Sequence, residues 1–318
     1  MSYIEKYLKY KKKYTDLKQQ NFIKGGKPIH YFNDANDHVD IYYIDLSDQL
    51  HLISINNNFC RNCTNLRYIN LSPLSQLTTI GNYFMLSCIS LKSIDLSNLT
   101  QIMSIGKFFM CECHNLTSID LSNLKQLTTI SSDFMKDCVN LKSIDLSNLI
   151  HLTTINNLFM SECSSLKSIN LSNLPLLNKI SDNFMTGCVS LKSINLSNLT
   201  LLNKIGDYFM MGCTSLISID LSSLTLLNKI GDGFMLGCTS LTNIDLSQLT
   251  QLENIGNNFM NLCKKLISID LSNLKKIKTI GFDFLNKCTD LKEIICTENQ
   301  ISIILKYNNN LEKLLIIT

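Results

Sequence analysis

The sequence predicts a repeat solenoid, with short parallel strands stacked into a sheet and joined by tight turns. Two observations carry this expectation. The core of "GNYFMLSC" (81–88) returns every 25 residues, with phenylalanines at Phe59, Phe84, Phe109 and onward to Phe284, and a cysteine four residues after each. Nine apolar positions also keep their places from copy to copy. In 91–115 these are Leu91, Ile94, Leu96, Leu99, Ile102, Ile105, Phe109, Met110 and Cys113. Ten full units fill residues 52–301, and a partial one starts near Ile41. A fixed period held over this many copies is the mark of coils stacked on one another.

Each element of the unit follows from its residues. In "LKSIDLS", Ile94 and Leu96 point one way and Ser93 and Asp95 the other, the period-2 pattern of a half-buried strand. A short extended piece follows. Glycines at Gly81, Gly106, Gly206, Gly231, Gly256 and Gly281, or Ser and Asn in other units, then mark a corner where positive φ is expected. The remaining "xxFMxxC" is long enough only for a helical turn. One unit alone buries too little apolar surface to offset the ordering of its backbone. Stacking at a spacing of about 4.8 Å covers both faces and supplies ladder hydrogen bonds. Like positions then form columns.

The pattern L-x-x-I-x-L followed by L-x-x-I-G-x-x-F-x-x-x-C-x-x-L, over about residues 41–301, resembles BspA-like leucine-rich repeats, with Phe-Met where that family usually has Ala-Phe. The resemblance implies a right-handed solenoid of the leucine-rich-repeat type with a parallel β-sheet on its concave side. Short helical turns and loops are implied elsewhere. It also implies binding or adhesion rather than catalysis. Separately, "YIEKYLKYKKKYTDLK" (3–18) resembles N-terminal segments found on proteins of mimivirus-like giant DNA viruses.

The ends differ from the array. Residues 1–27 carry eight lysines against Glu5 and Asp16, whereas the whole chain has a net charge of only +3. Tyr3, Tyr7, Tyr10, Tyr14 and Leu17 make a short heptad-like stripe, so 1–27 is expected to be a basic amphipathic helix and hinge. Any nucleic acid or membrane contact is expected through it alone. Residues 28–51 are expected to cap the array with the partial repeat, and 302–318 to cap the other end. No apolar run reaches the ~18 residues of a membrane span. The start of the chain lacks the apolar stretch of an export signal, which predicts an intracellular location, in host cytoplasm or a virion if the source is viral. In that reducing setting structural disulfides are uncommon.

No residue set suggests catalysis, a cofactor or a small-molecule substrate. His30, His38, His51, His114 and His151 are scattered, and no nucleophile–base pair or phosphate loop is visible. A cysteine column spreads its thiols along an axis, whereas a zinc site needs ligands converging on a point. The cysteines are therefore expected to be core. Binding is expected on two outer surfaces. The concave one would present Lys92, Lys142, Lys167 and Lys192 beside Asp95, Asp120, Asp145, Asn170, Asn195, Asp220, Asp245 and Asp270, more basic in the middle and more acidic later. The lateral one comes from "LLNKI", repeated three times, which would align Leu176, Leu201 and Leu226 with Lys179, Lys204 and Lys229 nearby. Duplication alone could also produce both patterns. The sequence therefore points to a non-catalytic protein-interaction scaffold, with a surface or virion adhesin contacting host protein or glycan as the alternative.

Overall fold

A computed structural model describes residues 41–318 except Asp48. The expected basic helix and hinge of 1–27, and 28–40 of the expected cap, lie outside the described residues. The chain coils into a parallel-strand solenoid of about 11 turns with little helix. Every strand pairing inside the array joins residues 25 apart, such as Ile144 to Ile169 and Ile180 to Ile205.

There are two ladders of strands rather than one. The first uses "SID" or "SIN" segments, including Ser143–Asp145, Ser168–Asn170 and Ser193–Asn195, which pair in register. The second uses the piece expected only to be extended. Its strands are two residues long, yet seven pair without a break from Thr129–Ile130 to Thr279–Ile280. In both, isoleucine faces the core and its polar neighbour faces outward, as the pleat requires.

The corner glycines have a different cause from the expected one. None of the six has positive φ. They are small because the neighbouring coil passes too close: a Cβ on Gly106 would sit 2.5 Å from the Asn82 nitrogen and the Gly81 carbonyl carbon. Where Ser131 and Asn156 replace glycine, their side chains donate to the carbonyls of Ile105 and Ile130, at 2.7 and 3.1 Å.

Positive φ appears instead in the Phe-Met-x-x-Cys stretch, which turns without forming a helix. Tyr83, Met85 and Ser87 have φ of 60°, 53° and 58°. Two β-turns follow one another, closed by Leu86 N–H to Tyr83 O at 3.4 Å and Cys88 N–H to Met85 O at 3.3 Å. The alternating backbone sends N–H groups in opposite directions. Tyr83 and Ser87 donate to Lys107 and Cys111 of the next coil, and Met85 donates to Phe59 of the previous one. A helix would spend these groups on itself; this conformation spends them on both neighbours.

Inside, ten phenylalanines from Phe59 to Phe284 stack with centroids 4.9–5.9 Å apart and planes within 19° of parallel. The array ends in helix α1 (Glu298–Leu305), the first segment of regular helix along the described residues. Buried Gln300 donates to Leu271 O and Leu274 O at 2.8 and 3.2 Å, and buried Asn308 donates to Gly281 O at 3.0 Å. These amides satisfy carbonyls that another coil would otherwise cover. The last strand, Leu315–Ile317, pairs with Glu293–Cys296.

Two expectations follow. Phe159→Ala should lose about 3–5 kcal/mol in urea unfolding, and Phe159→Leu far less. Met160 sits at φ 49°, where a β-branched side chain is disfavoured, so Met160→Ile should cost on the order of 1–2 kcal/mol more than Met160→Leu. Equal losses for Ile and Leu would contradict the left-handed backbone.

Candidate interaction surfaces

The first ladder carries the expected Asp/Asn column on its outer side, and the structure gives that column a local role. In each coil the Oδ1 accepts the backbone N–H two residues on, as Asp95 does from Ser97 at 2.9 Å, Asp145 from Ser147 at 2.8 Å and Asn170 from Ser172 at 3.0 Å. The same turn closes at Asp120, Asn195, Asp220, Asp245 and Asp270. The backbone N–H and hydroxyl of Ser122 hold the Asp120 carboxyl below its ordinary range, and the hydroxyl and N–H of Ser222 do the same for Asp220. Aspartate and asparagine interchange freely here because both offer Oδ1. Beside the column, Lys92, Lys142, Lys167 and Lys192 are all exposed. Lys167 and Lys192 follow Lys142 through backbone bonds of 2.9 and 3.0 Å, so these three lysines are brought into one row.

The second ladder brings the other expected set together. Lys179, Lys204 and Lys229 are direct partners on neighbouring strands. Leu176, Leu201 and Leu226, three residues earlier on the same coils, are 42%, 43% and 47% exposed. Ion pairs among the described residues are Lys278–Glu253 at 2.7 Å and Lys136–Asp137 at 3.8 Å. Neither lysine row forms an ion pair among the described residues.

A third column escaped the sequence reading. Asp182 Oδ1 accepts the Asp207 N–H at 3.0 Å, Asp207 Oδ1 that of Asp232 at 2.9 Å, and Asp232 Oδ1 that of Asn257 at 2.8 Å. Asn57 and Asn82 begin the same ladder near the other end. The signal was present as a column of Asn and Asp just after the corner.

The cysteines are core, and they also do something the sequence did not reveal. In the 25-residue column from Cys88 to Cys288, each thiol donates to the carbonyl at the Met position of the preceding coil: Cys113 to Met85 at 3.3 Å, Cys138 to Met110 at 3.2 Å, Cys163 to Met135 at 3.2 Å. All thirteen cysteines are free thiols. Burial pushes the thiols of Cys113 and Cys238 up to about 12. No group of three or more metal-ligating side chains gathers among the described residues. His51, His114 and His151 are exposed and apart, and His30 and His38 lie outside the described residues. A groove of about 550 Å³ at the start of the second ladder is lined by Ser54, Ile55, Asn56, Asn57, Asn58, Thr79 and Gly81, with no acid–base pair among them. No helix among the described residues is long and apolar enough to cross a membrane.

Comparison with known proteins agrees with this architecture. The model of the BspA type leucine rich repeat region matches in overlapping stretches, 34–151, 99–209, 128–247 and 203–316. A solved leucine-rich repeat protein from Bacteroides ovatus is 20% identical, with a TM-score of 0.50, and covers 88% of this chain and 84% of its own. A leucine-rich repeat protein of T. pallidum is 21% identical, with a TM-score of 0.46 over 60% of this chain and 85% of its own. A leucine-rich cell surface protein from Faecalibacterium prausnitzii is 15% identical, with a TM-score of 0.40 over 83% and 90%. No curated protein matches the sequence.

The thiol ladder makes stability fall in alkali. A thiol raised from 9.0 to about 12 holds its proton more tightly folded than unfolded, so its contribution is intact below pH 9.0 and is lost as pH rises towards 12. Each such thiol should remove about 1.4 kcal/mol per pH unit across that window. Cys138→Ala and Cys163→Ala should each lower stability by about 1–2 kcal/mol at pH 7. Combined with Cys113→Ala and Cys238→Ala, they should flatten the alkaline decline of the melting temperature. A chelator should leave the melting temperature unchanged; a clear drop would reveal a structural metal.

Proposed function

This chain belongs to the BspA-type leucine-rich repeat family, and on that premise we propose that it is a non-catalytic scaffold binding another protein through its outward ladders. The family and its fold are generally non-catalytic. The observation that carries the reading is the in-register alignment, on adjacent coils, of exposed side chains that form no ion pair among the described residues. Residues that could carry chemistry have structural duties instead. The thiols donate to Met-position carbonyls, and the carboxylates of the first ladder close turns.

The partner surface comprises two strips. One runs along the first ladder through Lys92, Lys142, Lys167 and Lys192 with the flanking Asp and Asn residues. The other is the Leu176–Lys229 strip on the second ladder. An intracellular location belongs to this reading, because thirteen cysteines without a disulfide suit a reducing compartment. A viral source is supported by the resemblance of residues 3–18.

Affinity purification of the tagged full chain from cells, followed by mass spectrometry and reconstitution with the purified partner, tests the reading. Charge reversal of Lys142, Lys167 and Lys192, or of Lys179, Lys204 and Lys229, should weaken that partner at least about tenfold. A partner indifferent to both triple variants would overturn the assignment of the surface. Binding to a glycan array in place of protein would favour an adhesin.

A further inference from the structure

On the second ladder, three successive coils depart together from what the array otherwise places there. The outward strand position is small and neutral in other coils, at Ser54, Thr79, Ser104, Thr129, Thr154, Asn254 and Thr279, but lysine at 179, 204 and 229. The position three residues earlier is polar elsewhere, at His51, Gln76, Gln101, Gln126, His151, Gln251 and Lys276, but leucine at 176, 201 and 226. Both changes work against the isolated chain. Like charges directly opposite on neighbouring strands repel, and a row of half-exposed leucines leaves apolar surface in water. Asp182, Asp207 and Asp232 lie three residues further along the same coils, but each turns its Oδ1 to a backbone N–H of the next coil and none forms an ion pair with these lysines among the described residues.

We infer that this strip docks an acidic amphipathic α-helix of a partner protein, lying along the solenoid axis. Its carboxylates sit over Lys179, Lys204 and Lys229, and its apolar stripe sits on Leu176, Leu201 and Leu226. The inference rests on the scaffold reading above and specifies its partner.

Spacing selects the helix. The three coils stand 5.1 and 5.4 Å apart at Phe184, Phe209 and Phe234. Helix residues i, i+3 and i+7 rise by about 4.5 and 10.5 Å, which keeps one carboxylate over each lysine. A strand laid along the same axis repeats one face every ~6.8 Å and is out of step by the third coil. A polyanion such as nucleic acid or sulfated glycan would match the lysines but give the leucines nothing to cover.

The test uses the full chain and a labelled, helix-stabilised peptide with Glu at i, i+3 and i+7 beside a leucine stripe, followed by fluorescence anisotropy. Binding should saturate, and should weaken about tenfold on raising NaCl from about 0.05 to about 0.5 M. Lys179→Thr, Lys204→Thr and Lys229→Thr together should cost at least about tenfold, as should Leu176→Gln, Leu201→Gln and Leu226→Gln together. Thr and Gln already occupy these positions elsewhere in the array, so a cooperative melting transition at a temperature no lower than the parent's confirms that the variants fold. Failure of the peptide to bind, or indifference to the variants, overturns the inference. So does equal affinity for a scrambled peptide, polyglutamate or heparin. Should the purified partner still bind while the peptide does not, the helix is wrong and the scaffold stands.

Discussion

Everything in this molecule depends on one backbone constraint: each coil must hydrogen-bond to the coils before and after it at the same position. No coil has enough apolar surface or internal bonding to fold alone, so each is held by its neighbours. That requirement fixes the 25-residue register seen at every pairing in the array. It explains the strands, where the bonds run directly, and the corners, where Gly106 is small because the adjacent backbone is 2.5 Å from where its Cβ would be. It also explains the absence of helix in the Phe-Met-x-x-Cys turn. A helical turn would close its bonds internally and leave both neighbours unsatisfied there.

The cysteine column belongs to the same constraint. The Met-position carbonyl already accepts the N–H that closes its own β-turn, as Met85 O does from Cys88, and the thiol of the next coil adds a second donor, Cys113 at 3.3 Å. A thiol is a weak donor that is cheap to bury, so it can reach this carbonyl without the desolvation penalty of a hydroxyl. Its raised pKa keeps the proton in place. Phenylalanine, methionine and cysteine thus form three parallel lines with three jobs: ring stacking, accommodation of the left-handed turn, and donation across coils.

Much of this was legible beforehand. Phe109, Cys113 and Ile105 announced buried columns by their period, and the alternation around Ile94 announced the first ladder. The second ladder was harder to read because its strands are only two residues long, as at Lys204–Ile205, too short for alternation to register. The left-handed turn left a negative trace. At the thirty positions equivalent to Tyr83, Met85 and Ser87 there is no Val, Ile or Thr. That exclusion is what positive φ demands, but avoidance is less conspicuous than repetition. On the surface, the sequence placed Lys179, Lys204 and Lys229 in one row correctly. It could not show that the Asp145 column closes turns, because an exposed carboxylate looks the same whether or not it accepts a backbone bond.

This division between columns tells where functional information can reside. A column bound to the backbone of the next coil, such as Asp182–Asp207–Asp232, or one inside the core, is constrained by folding and repeats for that reason. A column whose side chains touch only water is free to vary, and its default residue need serve nothing beyond solubility. Departures from the default are then the informative positions, most of all when two free columns depart on the same coils and both changes disfavour the isolated molecule. Lysine at 179, 204 and 229 and leucine at 176, 201 and 226 depart in this way on the same three coils. Folding gains nothing from aligning three lysines on neighbouring strands, and a docked acidic helix gives both departures a use.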